Sequence, residues 1–227
     1  MFNLLQDRVS ANADGTVTIS SETRADGTLK TWRETAPFHW QEVGGQDRFG
    51  AILEDGRIVA IRRSGDPSTG MVRVPAWMSS GWIFPALGAA VVILVLTALA
   101  RPAMAIVRRN LGVPPPARAD VRGGRLAWLA AVVAAGFALG WALLLRRIAG
   151  GDPGVYMGEF DPWIRFLHLL GLATMVGAGI AAWNAWHTVR SRRGWGTKLW
   201  SVLLVGACGF VVWFAFAFRL ITLGLDY

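Results

Sequence analysis

Residues 82–100 read WIFPALGAAVVILVLTALA, from Trp82 to Ala100, nineteen residues without a charge, closed by Arg101. At a rise of about 1.5 Å per residue such a helix covers roughly 28 Å, close to the ~30 Å hydrocarbon thickness of a bilayer. It reads as a membrane span, and three more apolar stretches follow it, at about 126–145, 163–186 and 199–218. A chain of 227 residues that is 53% hydrophobic and carries twelve tryptophans is not an ordinary soluble globule. The fold class expected is a membrane α-helical bundle of four transmembrane helices with a small N-terminal antiparallel β-sheet domain. The expected divisions are an extracytoplasmic β-meander over 1–63, a membrane-surface linker over 64–81 and the transmembrane domain over 82–227.

Charge divides at the same place. Residues 1–79 hold ten acids and nine bases, whereas the remainder holds five acids and fourteen bases, which together account for the net charge of +8. The basic excess lies in and between apolar segments, where it marks topology and anionic-lipid contact rather than nucleic-acid binding. Six arginines between 101 and 125 (Arg101, Arg108, Arg109, Arg118, Arg122 and Arg125), interrupted by Pro114-Pro115-Pro116, face only Asp120. A second basic group, Arg190, Arg192, Arg193 and Lys198, follows the third span, and the loop between the second and third spans carries Asp152, Glu159 and Asp161 against Arg146 and Arg147. The positive-inside rule therefore predicts an integral protein of the bacterial inner membrane with its N-terminal domain and C-terminus extracytoplasmic.

From Thr16 onward, short alternating runs are broken by Asp14-Gly15, Asp26-Gly27 and Asp55-Gly56, the punctuation of a β-meander. The clearest hairpin is FGAILEDGRIVAIRR, in which Phe49, Ala51 and Leu53 alternate and Glu54 faces Arg57 across the turn. Val17 and Ile19 alternate with Thr16, Thr18 and Ser20, and Phe38 and Trp40 with His39 and Gln41, for about five strands in all. A sheet of that size is marginal alone and is expected to lean on something larger. His39 has no second ligand at metal-binding spacing.

Gly136-x-x-x-Gly140 in the second span reads as helix packing, and Asp161-Pro162 as a helix start with the carboxylate as cap. The third span is the most polar, with Arg165 and His168 near one end and Asn184 and His187 near the other. Interface anchoring accounts for these four; the alternative is a polar site for a substrate, lipid headgroup or quinone. His168 and His187 lie nineteen residues apart, roughly 28 Å along a helix, and no other span has a histidine to complete a haem. Neither cofactor nor metal is assigned, and the lone Cys208 supports neither a disulfide nor a metal site. No serine has a lysine three residues on, and there is no Gly-x-Ser-x-Gly elbow, Walker loop or His-Glu-x-x-His, so no catalytic residue is assigned.

The order of parts adds a resemblance. NLLQDRVSANADGTVTIS, then WRETAPFHWQEVGGQDRFGAILEDGRIVAIRR, then MVRVPAW before a span and ARPAMAIVRRN after it, resembles the C-terminal portion of membrane-anchored serine hydrolases of the β-lactamase-related, penicillin-binding class C-like family. The stretch from Trp32 to Gly45 and the Arg-Pro and Arg-Arg steps after the first span carry it. The resemblance implies an exported catalytic domain followed by a small β region and several transmembrane helices. That family's Ser-x-x-Lys and Tyr-x-Asn motifs are absent: Tyr156 precedes Met157-Gly158, and Tyr227 is terminal. The implied role is a non-catalytic anchoring and accessory module, present as a fragment or as a stand-alone copy of the non-catalytic half. Its implied partners are the lipid bilayer and a serine hydrolase domain or other envelope protein. The alternative is a stand-alone small membrane protein with a lipid, quinone or protein-partner role.

Overall fold

The computed structural model describes residues 6–64, 66–112, 118–150, 154, 158–192 and 194–221, with backbone alone at 66–69, 118–122 and 149. Pro114-Pro115-Pro116, Asp152, Tyr156 and the tail from 222 lie outside the described residues. The chain forms two compact units that divide between Ser80 and Gly81.

The first unit is one antiparallel meander of seven strands in sequence order: β1 (Val9–Ala11), β2 (Val17–Thr23), β3 (Leu29–Ala36), β4 (His39–Glu42), β5 (Arg48–Glu54), β6 (Arg57–Arg63) and β7 (Asp66–Val72). Five strands were expected. The short edge strand β1 and the strand β7 make the difference, and β7 corrects the reading of 64–81 as linker throughout. Its Pro67 and Gly70 hide it in the sequence, but β7 is an edge strand, where a missing ladder N–H is tolerated. Met71 pairs with Ile61 and packs on the core.

Strand registers explain that core. The pairs Val17↔Trp32, Trp40↔Phe49, Ala51↔Ile61 and Ile61↔Met71 place Ile19, Trp32, Trp40, Phe49, Ile61 and Met71 on one face, one from each of β2 to β7. Ile19, Trp32 and Phe49 are buried, with Trp40, Ile61 and Met71 against them. Trp32 meets Phe49 edge-on at 4.9 Å, and Trp40 stacks on Phe49 at 5.0 Å. The ion pair between Glu22 on β2 and Arg63 on β6 shows how strongly the sheet curls. Four strand steps in a flat sheet cover about 19 Å, farther than two such side chains reach.

Asp55 and Gly56 have φ of 51° and 73°, both positive as the tight hairpin turn demands, and Glu54 pairs with Arg57. Beyond them the register slips by one residue between Ile52↔Ala60 and Leu53↔Ile58, a bulge. Asp14-Gly15-Thr16 and Asp26-Gly27-Thr28 form a second kind of turn, used twice. Each aspartate Oδ1 accepts the threonine Oγ1–H at 2.6 Å, and the threonine N–H at 3.0 Å in the first turn and 2.9 Å in the second. Thr16, expected on the polar face, is buried because this bond satisfies its hydroxyl. Phe38, expected to alternate in a strand with Trp40, instead lies in the β3–β4 turn at φ 63° and 40% exposed. Pro37 before it favours the turn, and the next residue takes the positive φ.

The second unit is four helices, each long and apolar enough to cross a membrane: α1 (Ser80–Leu111), α2 (Arg118–Ala149), α3 (Asp161–Arg190) and α4 (Trp195–Ala217). Three overrun both expected span limits, while α4 starts earlier, at Trp195, and stops one residue short of 218. Helix formation does not stop where the apolar run stops, and Arg, Ala, Met and Leu are good helix formers. In particular 101–111, beyond the expected end of the first span at Ala100, continues α1. Asp161 is the first helical residue rather than the cap, a position held by Phe160.

Helix α3 buries Ile164, Leu167, Gly171, Thr174, Gly177, Ala181, Ala185 and Thr188, a mostly small-residue stripe at spacings of three and four. It meets the alanine-rich face of α2. A Cβ on Gly177 would lie 3.2 Å from Ala130 Cβ and 3.3 Å from its Cα, tighter than ordinary van der Waals contact, so glycine eases this close approach. Gly136 and Gly140 of α2 face Leu170 and Leu167 of α3, the packing role expected of that step.

Acid should loosen the sheet. Hydrogen bonds from Thr16 and Thr28 hold Asp14 and Asp26 below the usual 3.8, and the hydrogen bond from Lys30 (2.6 Å) does the same for Asp47. Depressed carboxylates contribute stability that is present above the unfolded value and lost as pH falls through the folded one. Lys30, raised above 10.5 by its bond to Asp47, contributes stability that is present below that value and lost in strong alkali. In detergent, the urea concentration that abolishes the β-sheet circular-dichroism signal should be flat from pH 5 to 9 and fall below about pH 4. Asp47→Asn should shrink that fall.

Candidate functional site

The four polar residues singled out on α3 do not converge. Arg165 is exposed, and His168 is half-buried with its ring 6.3 Å from that of Trp141 on α2. Nineteen residues away, His187 is exposed and meets Trp183 edge-on at 4.8 Å. Half-buried Asn184 turns toward α2, where a Cβ on Gly123 would lie 3.0 Å from its Oδ1. The structure thus separates two localities at opposite ends of the bundle, and each acquires partners from other helices.

At the Asn184 end the organising feature is Pro102. Having no N–H, it leaves the Ala98 carbonyl, four residues earlier in α1, without its helical donor. The indole Nε1–H of Trp128 on α2 donates to that carbonyl at 2.7 Å. One residue before Ala98, Thr97 Oγ1 donates to Ile93 O at 2.7 Å and accepts the Nε1–H of Trp200 on α4 at 3.1 Å. Two tryptophans from two helices therefore hold α1 beside Pro102. Arg101 lies at the same level, its Nη2 3.2 Å from where a Cβ of Gly124 would be.

No family model, curated protein or solved structure matches this chain.

At the His168 end the notable atom is Trp141 Nε1. Trp141 is 4% exposed, and its indole nitrogen is buried without a hydrogen-bond partner among the described residues. An unsatisfied donor inside an apolar bundle costs of order 1–3 kcal/mol, and the nearest polar ring is His168. No group of three His, Cys, Asp or Glu side chains capable of holding a metal occurs among the described residues. Cys208 is buried inside α4 with no disulfide partner.

Neither Trp128 nor Trp141 stood out in the sequence as more than a span-end aromatic. A proline at 102 with its freed carbonyl at 98 was a usable signal, since it announces a demand for a donor; which helix supplies that donor depends on tertiary packing. Trp128→Phe keeps the ring and deletes the donor. It should lower the stability of the bundle in detergent by about 1 kcal/mol, seen as a lower thermal midpoint, while Trp195→Phe, at a 78% exposed position, should leave it unchanged.

Proposed function

We propose that the chain is a non-catalytic membrane-anchoring and accessory module, with an extracytoplasmic β sheet carried on a four-helix anchor that supports a serine hydrolase domain. The observation that carries this reading is the division into two compact units at Ser80–Gly81, with the sheet organised about its own core of Ile19, Trp32 and Phe49. Such a unit is suited to presenting a surface while the helices retain it at the bilayer. The arginine asymmetry supports a bacterial inner-membrane location with the sheet and C-terminus outside. Phe38, an exposed aromatic held at positive φ, is the natural contact residue, because strain of about 1–3 kcal/mol persists where something favours it.

The test uses the full chain purified from its own membranes with a fluorophosphonate probe. The chain itself should remain unlabelled while a probe-labelled hydrolase co-purifies, and Phe38→Asp should reduce that recovery severalfold. Labelling of a serine in this chain, or recovery of no labelled hydrolase, overturns the reading. For orientation, in a Cys208→Ala background an impermeant maleimide should reach a cysteine placed at Asp26 in intact cells and one placed at Arg109 only after permeabilisation.

The orphan Trp141 indole favours a second reading: a polar site at Trp141, His168 and Arg165 for a carbonyl-bearing membrane molecule, a lipid ester or a quinone. The indole N–H would donate to the carbonyl oxygen. Trp141→Phe discriminates, because deleting a donor that has a partner destabilises, whereas deleting an orphan does not. A lower thermal midpoint with loss of a co-purifying lipid or quinone in mass spectrometry supports the site; an unchanged or higher midpoint removes it.

A further inference from the structure

The two faces of the sheet differ in charge. Strand alternation puts Arg33, Arg48 and Arg62 on the face opposite their sequence neighbours Trp32, Phe49 and Ile61, which belong to the core. All three arginines are exposed. The register sets them close together. Arg33 and Arg48 both pair with Gln41, two strand steps or about 10 Å apart. Arg62 pairs with Gly50, two residues along β5 from Arg48, a diagonal of about 7–8 Å. Among the described residues the sheet's ion pairs are Glu22 with Arg63, Glu42 with Arg24 and Lys30, and Asp47 with Lys30, so these three arginines have no carboxylate partner. Asp14 feels the charge of Arg33, but its hydrogen bonds go to Thr16. Glu54, at the β5–β6 turn, stands opposite Arg57. Residues 1–79 hold one more acid than base, so the outward excess of positive charge comes from placement and not from composition.

The same face turns apolar toward the edge strand. Ile52 pairs with Ala60 and Ala60 with Val72, all three on the arginine side, and Ile52 is 37% and Val72 72% exposed. Two glycines keep this face low. The ring of His39 lies 3.6 Å from where a Cβ of Gly50 would be, and the stem of Arg62 lies 3.7 Å from that of Gly70. From Val72 the chain reaches Ser80, the first residue of α1, across residues 73–79, a span of at most about 30 Å. Exposed Val74 and Trp77 continue the apolar run through that connection, and tryptophan favours the headgroup level of a bilayer. A soluble anion would satisfy the arginines and leave Ile52 and Val72 in water. A bilayer surface offers phosphates to the first and interfacial hydrocarbon to the second, and the four membrane-length helices keep it within reach of the sheet.

We propose that the outward face of β3–β7 is a docking surface for the anionic phospholipid headgroups of the bilayer that the chain itself spans. Arg33, Arg48 and Arg62 engage phosphates, while Ile52 and Val72 enter the interfacial layer beside them. Docking gives the sheet, whose core is a single small cluster, a second support outside itself. It depends neither on a hydrolase partner nor on which leaflet the sheet faces.

The experiment attaches a fluorophore to the full chain carrying Cys208→Ala and His39→Cys, reconstituted in vesicles that contain a headgroup-quencher lipid. The vesicles are phosphatidylcholine alone, or equal parts of phosphatidylcholine and phosphatidylglycerol. The docked-to-free ratio read from quenching should rise about 100-fold with phosphatidylglycerol, at about fivefold for each of three arginines. The Arg48→Gln/Arg62→Gln variant should keep only about fivefold of that rise. Arg24→Gln, which removes a charge from the core side of the sheet, should keep all of it. Ile52→Ser/Val72→Ser should lower the ratio severalfold, and an unchanged ratio there overturns the assignment to lipid. Quenching indifferent to phosphatidylglycerol overturns the proposal and leaves the arginines to a protein partner, absent from these vesicles. An equal rise from a fluorophore at Ala25→Cys, in the β2–β3 turn, means adhesion without a preferred face and likewise overturns it. If the Arg48/Arg62 variant fails to fold, wild type is taken from 0.05 to 0.5 M salt. The rise must then shrink, and a salt-independent rise refutes the surface.

Discussion

A backbone carbonyl inside a bilayer has no water to turn to, and that constraint governs how the first helix joins the others. Pro102 removes the donor that Ala98 would have used, and the Trp128 indole replaces it. Without that replacement α1 would carry an exposed carbonyl into hydrocarbon. With it, a local defect becomes a point of attachment. Trp200 on Thr97 adds a second directional bond one residue away. Helices α2 and α3 meet differently, through glycine and alanine close enough for backbone contact at Gly177 and Ala130. Dispersion along a small-residue seam holds that pair, while polar side chains hold α1.

The sheet solves a different problem. A single face built of one apolar residue from each of six strands gives little buried area per residue, and curling brings those residues into one cluster. The pair Glu22–Arg63 spans the curl, and Lys30 links Glu42 and Asp47 at 3.3 and 2.6 Å near its rim. These ion pairs are at least partly solvated and stabilise weakly one by one. Curvature itself owes more to the register shifts in β2–β3, β3–β4, β5–β6 and β6–β7, since a bulge increases local twist.

Features that depend on neighbours in sequence were legible. The Asp55-Gly56 turn, the Glu54–Arg57 pairing, the four spans and the glycine step at 136 and 140 all follow from pattern within a single short stretch of chain. Features that depend on a distant partner were not. Strand β7 was masked by proline and glycine, which an edge position tolerates, and its placement rests on Met71 finding Ile61. Phe38 looked like an alternating strand residue because hydrophobic pattern carries no mark of positive φ, although Pro37 was the warning. The polar residues of α3 were visible individually. Their grouping was not, because two of them answer to residues on α2, His168 to Trp141 and Asn184 to Gly123.

The two ends of the bundle hold α1 by unlike means, and the difference has a mechanical consequence. At the arginine end its described ties are directional indole hydrogen bonds to Ala98 and Thr97. At the opposite end Trp82 meets Phe210 and Trp213 of α4 through ring contacts at 6.1 and 5.6 Å. Ring contacts are worth about 0.5–1.5 kcal/mol and accept a range of offsets, whereas a hydrogen bond weakens steeply once its angle departs from linear. Register between α1 and its neighbours is set by the directional bonds beside Pro102. The end that carries the concentrated positive charge is thus also the end at which the first helix is fixed.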